Sequence, residues 1–399
     1  MKIAVVGAGI AGPTLAYWLS HYGHEPTLIE RSPRLRTGGY AVDFWGGGYA
    51  VAERMGLAAD LHTAGYVVQE VRLVDRNSQR VGGFSADVFR RLVDGRFVTI
   101  PRGALAALIY RLIDGRVETL FGERISSIVH DDAGVRVTLE RGGPRDFDLL
   151  IGADGIHSPV RDLVFGPESR FAADLGYRVA AFEAEGYRPR DELVYLAYTM
   201  PGRMVARFAM RDDKTMFLFV FTSDRLGDPD PDDGSQIKAA LQQVFGEKGW
   251  ECQEILRRLD DAPDVYFDRV SQTVMDRWSH GRVALIGDAA AAVSLLAGEG
   301  AGLAMVQAYT LAGELNRGGA DHQDAFRRYE SRLRPIVEMR QRSARGFATI
   351  FAPKTALGVW TRNQTSKLLN VPRLAEWVLR REFRDDIALP EYAESPSAH

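Results

Sequence analysis

Apolar positions along the chain switch between two periods. KIAVV (2–6) is a short continuous apolar run, AGPTLAYWLSHY (11–22) repeats its apolar residues at helical spacing, and PTLIE (26–30) is apolar again. Strand, amphipathic helix and strand make a βαβ unit of about 30 residues, the minimal right-handed crossover. Further helices are predicted over roughly 48–56 and, after Pro101, over roughly 103–114. Residues 117–151 divide into several strands at the turn-forming DDAG and RGGPRD. From about 174 to 222 the period shortens, and AAFEAE, LVYLAYTM, MVARFAM and TMFLFVF read as successive antiparallel strands. The acidic loop GDPDPDDGS (227–235) precedes helices near 236–246 and 250–259. Strand-like VYFDRVSQTVM (265–275) then leads to RVALI (282–286). A long helical stretch covers about 302–345, 353–382 carries more helical patterning, and ESPSAH at the C-terminus looks unstructured.

This order predicts an α/β protein. A Rossmann-like nucleotide-binding domain is assembled from 1–70, 98–173 and 271–350. An inserted antiparallel-sheet substrate domain comes from 71–97 and 174–270, and helices of 351–399 close the chain. A length of 399 residues exceeds one simple core, which favours two domains. Net charge is −3 with acids and bases mixed, which argues against nucleic acid as the main partner. The single cysteine, Cys252, excludes an internal disulfide and a cysteine metal cluster, and fits a reducing cytoplasm. The eight histidines show no metal-ligand spacing, so no metal site is expected. The glycine-broken KIAVVGAGIAG reads as structure rather than a signal peptide. No stretch approaches the roughly 18 apolar residues of a membrane span.

Three motifs carry chemistry. Gly7-Ala8-Gly9-Ile10-Ala11-Gly12 follows a strand and opens a helix. Gly7 permits the tight turn, Gly9 lets the backbone approach a pyrophosphate, and Gly12 lets helix and strand pack closely. The helix start offers free N–H groups to the phosphates. Glu30 ends the second strand at the spacing where a carboxylate accepts ribose hydroxyls. The bland reading is a glycine turn in an α/β domain that binds nothing. The second motif, GADGIHSPVR (152–161), holds Asp154 and Gly155, and alone would be an ordinary turn with an N-capping side chain. The third is GDAAAAVSLLAGEGAG (287–302), where Gly287 and Asp288 end a strand and Gly298, Gly300 and Ala301 precede a helix. Asp288 alone is as well explained as a helix N-cap.

In this order and spacing the three motifs resemble the single-component group A FAD-dependent monooxygenases, the aromatic hydroxylases typified by para-hydroxybenzoate hydroxylase. AGPTLAYWL (11–19), RTGGYAVDF (36–44) and GEGAGLAMVQAYTLAGEL (298–315) look most like the tetracycline-inactivating flavin monooxygenases. The resemblance covers most of the chain. It implies FAD, NAD(P)H as reductant, dioxygen as cosubstrate, and a flavin hydroperoxide that transfers one oxygen atom to an aromatic or polycyclic small molecule. No His or Cys occupies an evident attachment position, so the FAD is expected to be non-covalent. On these positions Gly7, Gly9, Ile10, Ala11 and Gly12 would hold the pyrophosphate, Glu30 the adenosine ribose, and Arg31 would sit near the adenosine. Arg102, in PRGAL, would reach toward FAD. Asp154 and Gly155 would serve flavin and reductant, and Gly287 and Asp288 the ribityl or pyrophosphate region. Asp43 would lie near the ring. Gly298, Gly300 and Ala301 would bring backbone amides and a helix dipole to it, a field that favours the anionic reduced flavin.

The chain also departs from that pattern. A common histidine is Ala291, a Pro-Pro pair is Ser294-Leu295, a glutamine is Glu299, and a later Asn and Asp are Gly302 and Gln307. The departures motivate an alternative, a protein of the same fold holding FAD without redox turnover, such as a cyclase. A nucleotide-binding regulatory module is a third reading. For the substrate, Trp45, Arg207 and Phe219 are the candidates. Trp45 lies beside Asp43 and a Gly-Gly-Gly run, though a packed aromatic is as good a reading. Arg207 alternates with Val205 and Ala209, which puts a cation on an apolar strand face, although a sheet-edge arginine reads equally well. Of the strand aromatics Tyr195, Tyr198, Phe208, Phe217, Phe219 and Phe221, about half can line a pocket. His157 reads as a surface histidine, and the arginines between 327 and 345 as a solvated helix face.

Overall fold

The structure is a computed structural model that describes residues 1–35, 40–225, 229, 233–247, 249–318, 321–371, 373–375 and 387–392. The start of RTGGYAVDF, most of the acidic loop, part of the helical patterning of 353–382, and ESPSAH lie outside the described residues.

The first half of the chain runs β1 (Lys2–Val6), α1 (Ala11–His21), β2 (Glu25–Glu30), β3 (Ala41–Trp45), α2 (Gly46–Arg54), α3 (Ala58–Ala64), β4 (Glu70–Val74), β5 (Arg80–Ser85), α4 (Asp87–Leu92), β6 (Phe97–Pro101), α5 (Arg102–Arg111), β7 (Glu118–Phe121), β8 (Ile125–His130), β9 (Val135–Leu139), β10 (Gly143–Phe147), β11 (Leu149–Gly152) and α6 (Pro159–Val164). The second half runs β12 (Ala172–Glu185), β13 (Val194–Met200), β14 (Arg203–Ala209), β15 (Lys214–Thr222), α7 (Gly234–Phe245), α8 (Cys252–Asp260), β16 (Tyr266–Thr273), β17 (Ser279–His280), β18 (Val283–Leu285), α9 (Asp288–Ala291), α10 (Gly300–Gly318), α11 (His322–Phe351) and α12 (Ala356–Leu368).

Two sheets dominate. A six-stranded sheet has the order β17-β18-β11-β1-β2-β7 and is parallel apart from β17. Its central strands are buried on both faces, which is why they read as unbroken apolar runs. Three strand ends of this sheet, those of β1, β11 and β18, carry the three motifs. A seven-stranded sheet has the order β16-β12-β15-β14-β13-β4-β5, with β13 and β4 its one parallel pair. Its outer face is sealed by α7 and α8, where Val205, Phe217, Phe219 and Phe221 pack with Leu241, Phe245 and Leu256. Its inner face packs on Leu295 and Leu296 and on Ala348 and Ala352 at the end of α11. In-register pairing places Leu73, Ala197, Ala206, Leu218, Ala181 and Tyr266 in one row across it.

The long helical stretch expected over 302–345 is two helices. The Asp321 carboxylate accepts the Asp324 amide at 2.9 Å and starts α11 afresh. Residues 387–392 lie back across α2 and α10, with Leu389 and Tyr392 against the core. Among the described residues no helix is long and apolar enough to cross a membrane, and no group of three His, Cys, Asp or Glu is placed to hold a metal ion.

Candidate active site

The first turn is built by collision and its avoidance. Gly7 sits at φ +105°, and a Cβ there would lie 2.5 Å from the Ala153 carbonyl oxygen. A Cβ on Gly12 would lie 1.9 Å from the Gly7 oxygen. Gly9 differs, because a Cβ there would meet nothing nearer than Arg102 Nη2 at 3.9 Å. No side chain caps α1 at Ile10 and Ala11, so its first-turn amides stay available. The Ala8 amide donates to Glu30 Oε2 at 2.7 Å and the Ser32 amide to Oε1 at 2.8 Å. Glu30 is thus fixed beside the turn with lone pairs left over, and Arg31 next to it is exposed.

Arg102, first residue of α5, is solvent-accessible yet has Tyr40, Asp288 and Tyr266 around it. Partial desolvation among these neighbours works against its charge, but the three together outweigh it and raise its pKa. Burial raises the Asp288 pKa, with Arg102 opposing. A Cβ on Gly300 would lie 3.6 Å from Asp288 Oδ1, so this carboxylate stands at the start of α10. Ala301 follows in the first turn of that helix, partly buried. The Gly287 amide donates to Gln307 Oε1 at 2.8 Å, and Tyr329 donates to the same oxygen at 3.0 Å. These two bonds hold the strand-to-helix turn from behind. Gly298, at φ +70°, adopts the left-handed conformation that leads into α10.

Asp154 accepts from Ser158 Oγ at 2.5 Å and from the Val160 amide at 3.0 Å. Burial nevertheless pushes its pKa up to about 6. Gly155 follows at φ +85°. Arg161, buried, donates to the Ile156 oxygen at 2.7 Å and the Ala289 oxygen at 3.3 Å, and so ties the second motif to the third. His157 pairs with Glu168 at 2.9 Å and Asp268 at 3.2 Å. Those carboxylates raise its pKa to about 10, so this exposed histidine is a cation.

Asp43 on β3 accepts from Thr99 Oγ1 at 2.6 Å and from the Tyr195 hydroxyl. Burial raises its pKa against those bonds. Beside it, a cavity of about 30 Å³ is lined by residues that include Trp45, Gly298, Glu299, Leu303, Arg340 and Ile387. Arg340 pairs with Glu299 at 2.8 Å, and its guanidinium lies 5.8 Å from the centre of the Trp45 ring. The glycines after Trp45 serve a helix crossing, since a Cβ on Gly48 would lie 2.2 Å from Gly302 Cα.

Two substrate candidates face the wrong way. Arg207 is 2% exposed and pairs with Asp191 and Glu251, each at 2.7 Å. Phe219 is 1% exposed and stacks in the α7–α8 core. Both lie on the outer face of the sheet, because Arg207 shares strand parity with Val205, which is paired with Phe219. The opposite parity brings Tyr195, Leu218 and Tyr266 to the inner face, each partly exposed. Tyr40 joins them, its ring 5.5 Å from that of Tyr266. Sequence alternation marks the two classes of side chain without saying which faces inward. Four of the helix arginines, Arg327, Arg332, Arg342 and Arg345, are exposed as a solvated face requires, and three depart from it. Arg328 pairs with the buried Glu314 at 2.6 Å, Arg334 donates to the Met275 oxygen at 2.8 Å, and Arg340 reaches Glu299.

The donor set fits FAD. Gly9 offers a cradle that a Cβ would fill, Arg102 offers charge to phosphate and Glu30 suits a ribose, while Arg102 and Asp288 link the uncapped start of α1 to Gly300 at the start of α10. Residues 1–343 match the family described as FAD binding domain. The chain belongs to the group A FAD-dependent monooxygenases. A flavin-dependent monooxygenase from an unknown prokaryotic organism is 35% identical to it over 396 residues, covering 97% of this chain and 95% of that protein. An uncharacterized protein of Mycobacterium tuberculosis is 39% identical over 353 residues, covering 86% and 92%. The crystal structure of tetracycline destructase Tet(55) superimposes with a TM-score of 0.83 at 32% identity, covering 98% of each chain. This monooxygenase is accordingly an FAD-dependent oxidoreductase.

Proposed function

We propose that this monooxygenase uses NAD(P)H and dioxygen to hydroxylate an aromatic or polycyclic, enol-like small molecule in the cytoplasm. The observation that carries the reading is one juxtaposition. The inner face of the seven-stranded sheet presents Tyr195, Leu218 and Tyr266 toward the wall formed by Tyr40, Asp43 and the Leu295–Leu296 turn before α10. An apolar, aromatic floor with few polar groups suits a flat ring system. The match to a tetracycline destructase supports a polycyclic substrate with enol character.

Gly9 and the α1 amides would hold the FAD pyrophosphate, with Glu30 at the ribose and Arg31 nearby. Arg102 and Asp288 would hold the middle of the cofactor. Asp43, Gly298, Gly300 and Ala301 would surround the ring, and Asp154 with Gly155 would border the approach of the reductant. When bound, FAD supplies electron transfer from NAD(P)H and the activation of dioxygen. The chain contributes orientation, exclusion of water and the positive field of α10. Trp45 stays a substrate-wall candidate because it shares the cavity with Asp43 and Gly298.

Anaerobic mixing of the yellow protein with NADH or NADPH, with and without candidate aromatic ligands, tests the reading. Bleaching accelerated by a ligand, followed by one labelled oxygen atom in the product under labelled dioxygen, is the expected result. A protein reduced by neither nicotinamide under any ligand would instead point to the non-redox cyclase.

A further inference from the structure

Residues 387–392 come from the far end of the chain yet reach the cavity beside Asp43 and Trp45. We propose that this segment is a strap forming one wall of the active site, with Ile387 as its apolar stopper at the edge of the flavin. The proposal rests on the reading that the ring lies against Asp43 and the 298–302 turn.

The strap is anchored along its length. Tyr392 lies across α10 at Gly313, where a Cβ would sit 2.1 Å from the ring. Its hydroxyl donates to Glu314 Oε1 at 2.9 Å. Glu391 pairs with Arg54 at 2.7 Å, and the Pro390 oxygen accepts from Tyr309 at 2.8 Å and Arg54 at 3.1 Å. The helices under it have made room, because a Cβ on Gly47 would lie 3.3 Å from Ile387 Cβ. Two glycines in the crossing helices thus admit one segment, and the segment delivers one side chain to the cavity wall.

That side chain carries no polar atom, so its contribution is exclusion. The Arg340–Glu299 pair on the same cavity is largely buried, with side chains 11% and 20% exposed. Charges and helix dipoles act more strongly where water is kept out. Ile387 acts through this exclusion as a positioning residue and makes no bond to a reacting atom.

The test uses the full-length, FAD-loaded protein and two sets of variants. Ile387→Gly removes the stopper and keeps the anchors. Glu391→Ala with Tyr392→Ala loosens the anchors and leaves the cavity-lining side chains unchanged. Acrylamide quenching of flavin fluorescence reads access to the ring, and titration of apoprotein with FAD reads retention. Both sets should raise the quenching constant severalfold and the FAD dissociation constant by about tenfold. Ile387→Val should stay near wild type. Unchanged quenching in Ile387→Gly overturns the stopper. A rise in Ile387→Gly with none in the anchor variant overturns the strap. Neither readout needs turnover, so a protein that hydroxylates nothing can still pass or fail.

Discussion

The turn at 7–12 and the turn at 298–302 both bring glycines to the start of a long helix, but they are braced differently. At the first turn the partners are near in sequence. Gly12 packs on Gly7, and Glu30 accepts the Ala8 amide. At the second the partners are far away. Gly302 packs on Gly48, Glu299 is held by Arg340, and Ile387 closes the side. Within each turn, one glycine admits another backbone while a neighbour faces the cleft. Gly12 and Gly302 belong to the first kind, Gly9 and Gly300 to the second. A glycine count therefore says little about binding until each Cβ direction is known. The proposed nucleotide end of the site is a local structure, and the proposed ring end is assembled from the whole chain.

The difference can be broken experimentally. Gly12→Val should have the largest effect, about 4 kcal/mol or more of lost stability, because its Cβ would overlap a backbone oxygen that cannot move aside. Denaturant unfolding measures it, and a loss below about 1 kcal/mol would mean the turn is looser than described. Gly9→Val should cost less than about 1 kcal/mol of apoprotein stability and still abolish FAD retention. A folded, yellow Gly9→Val protein would erase the distinction between the two kinds of glycine.

Next in size is a pH effect. Burial pushes the Asp154 carboxyl up to about 6 from 3.8 for the free group, a difference worth about 3 kcal/mol. The folded-state value is raised, so this stability is fully present below the unfolded pKa and is lost as pH rises through about 6. Asp43 and Asp288 are also raised by burial and act with the same sign. Apoprotein should therefore gain stability as pH falls from about 7 to about 5, and Asp154→Asn should flatten that slope. A slope unchanged by the substitution would remove Asp154 from the account.

The smallest expected effect on binding is that of Gly300→Val. Its Cβ meets only Asp288 Oδ1, at 3.6 Å, and the proposed adenosine contacts at 7–12 and Glu30 lie outside this turn. FAD affinity should fall by no more than about tenfold. Hydrogen peroxide released per reductant oxidised should rise, since the new side chain crowds the ring end alone. Unchanged coupling with a turned-over substrate would place the 298–302 turn away from the reacting ring.

The sequence by itself determined the elements whose causes are local. Glycine spacing, an apolar strand and an acid at the next strand end specify the βαβ unit, because steric freedom and hydrogen bonding act within some 30 residues. Helices near 103 and 236, which begin at Arg102 and Gly234 in the structure, and the α/β class followed from the same short-range rules. Alternation along MVARFAM and TMFLFVF separated two sets of side chains, yet nothing within a strand says which set meets α7 and α8. Only the tertiary structure decided that Arg207 and Phe219 face outward while Tyr195 and Leu218 face the cleft. It also decided the Trp45–Glu299–Arg340 cluster and the arrival of Ile387, joining residues up to some 340 positions apart. Close packing on one sheet face selects such neighbours through the whole chain at once, and no window of local sequence contains that information.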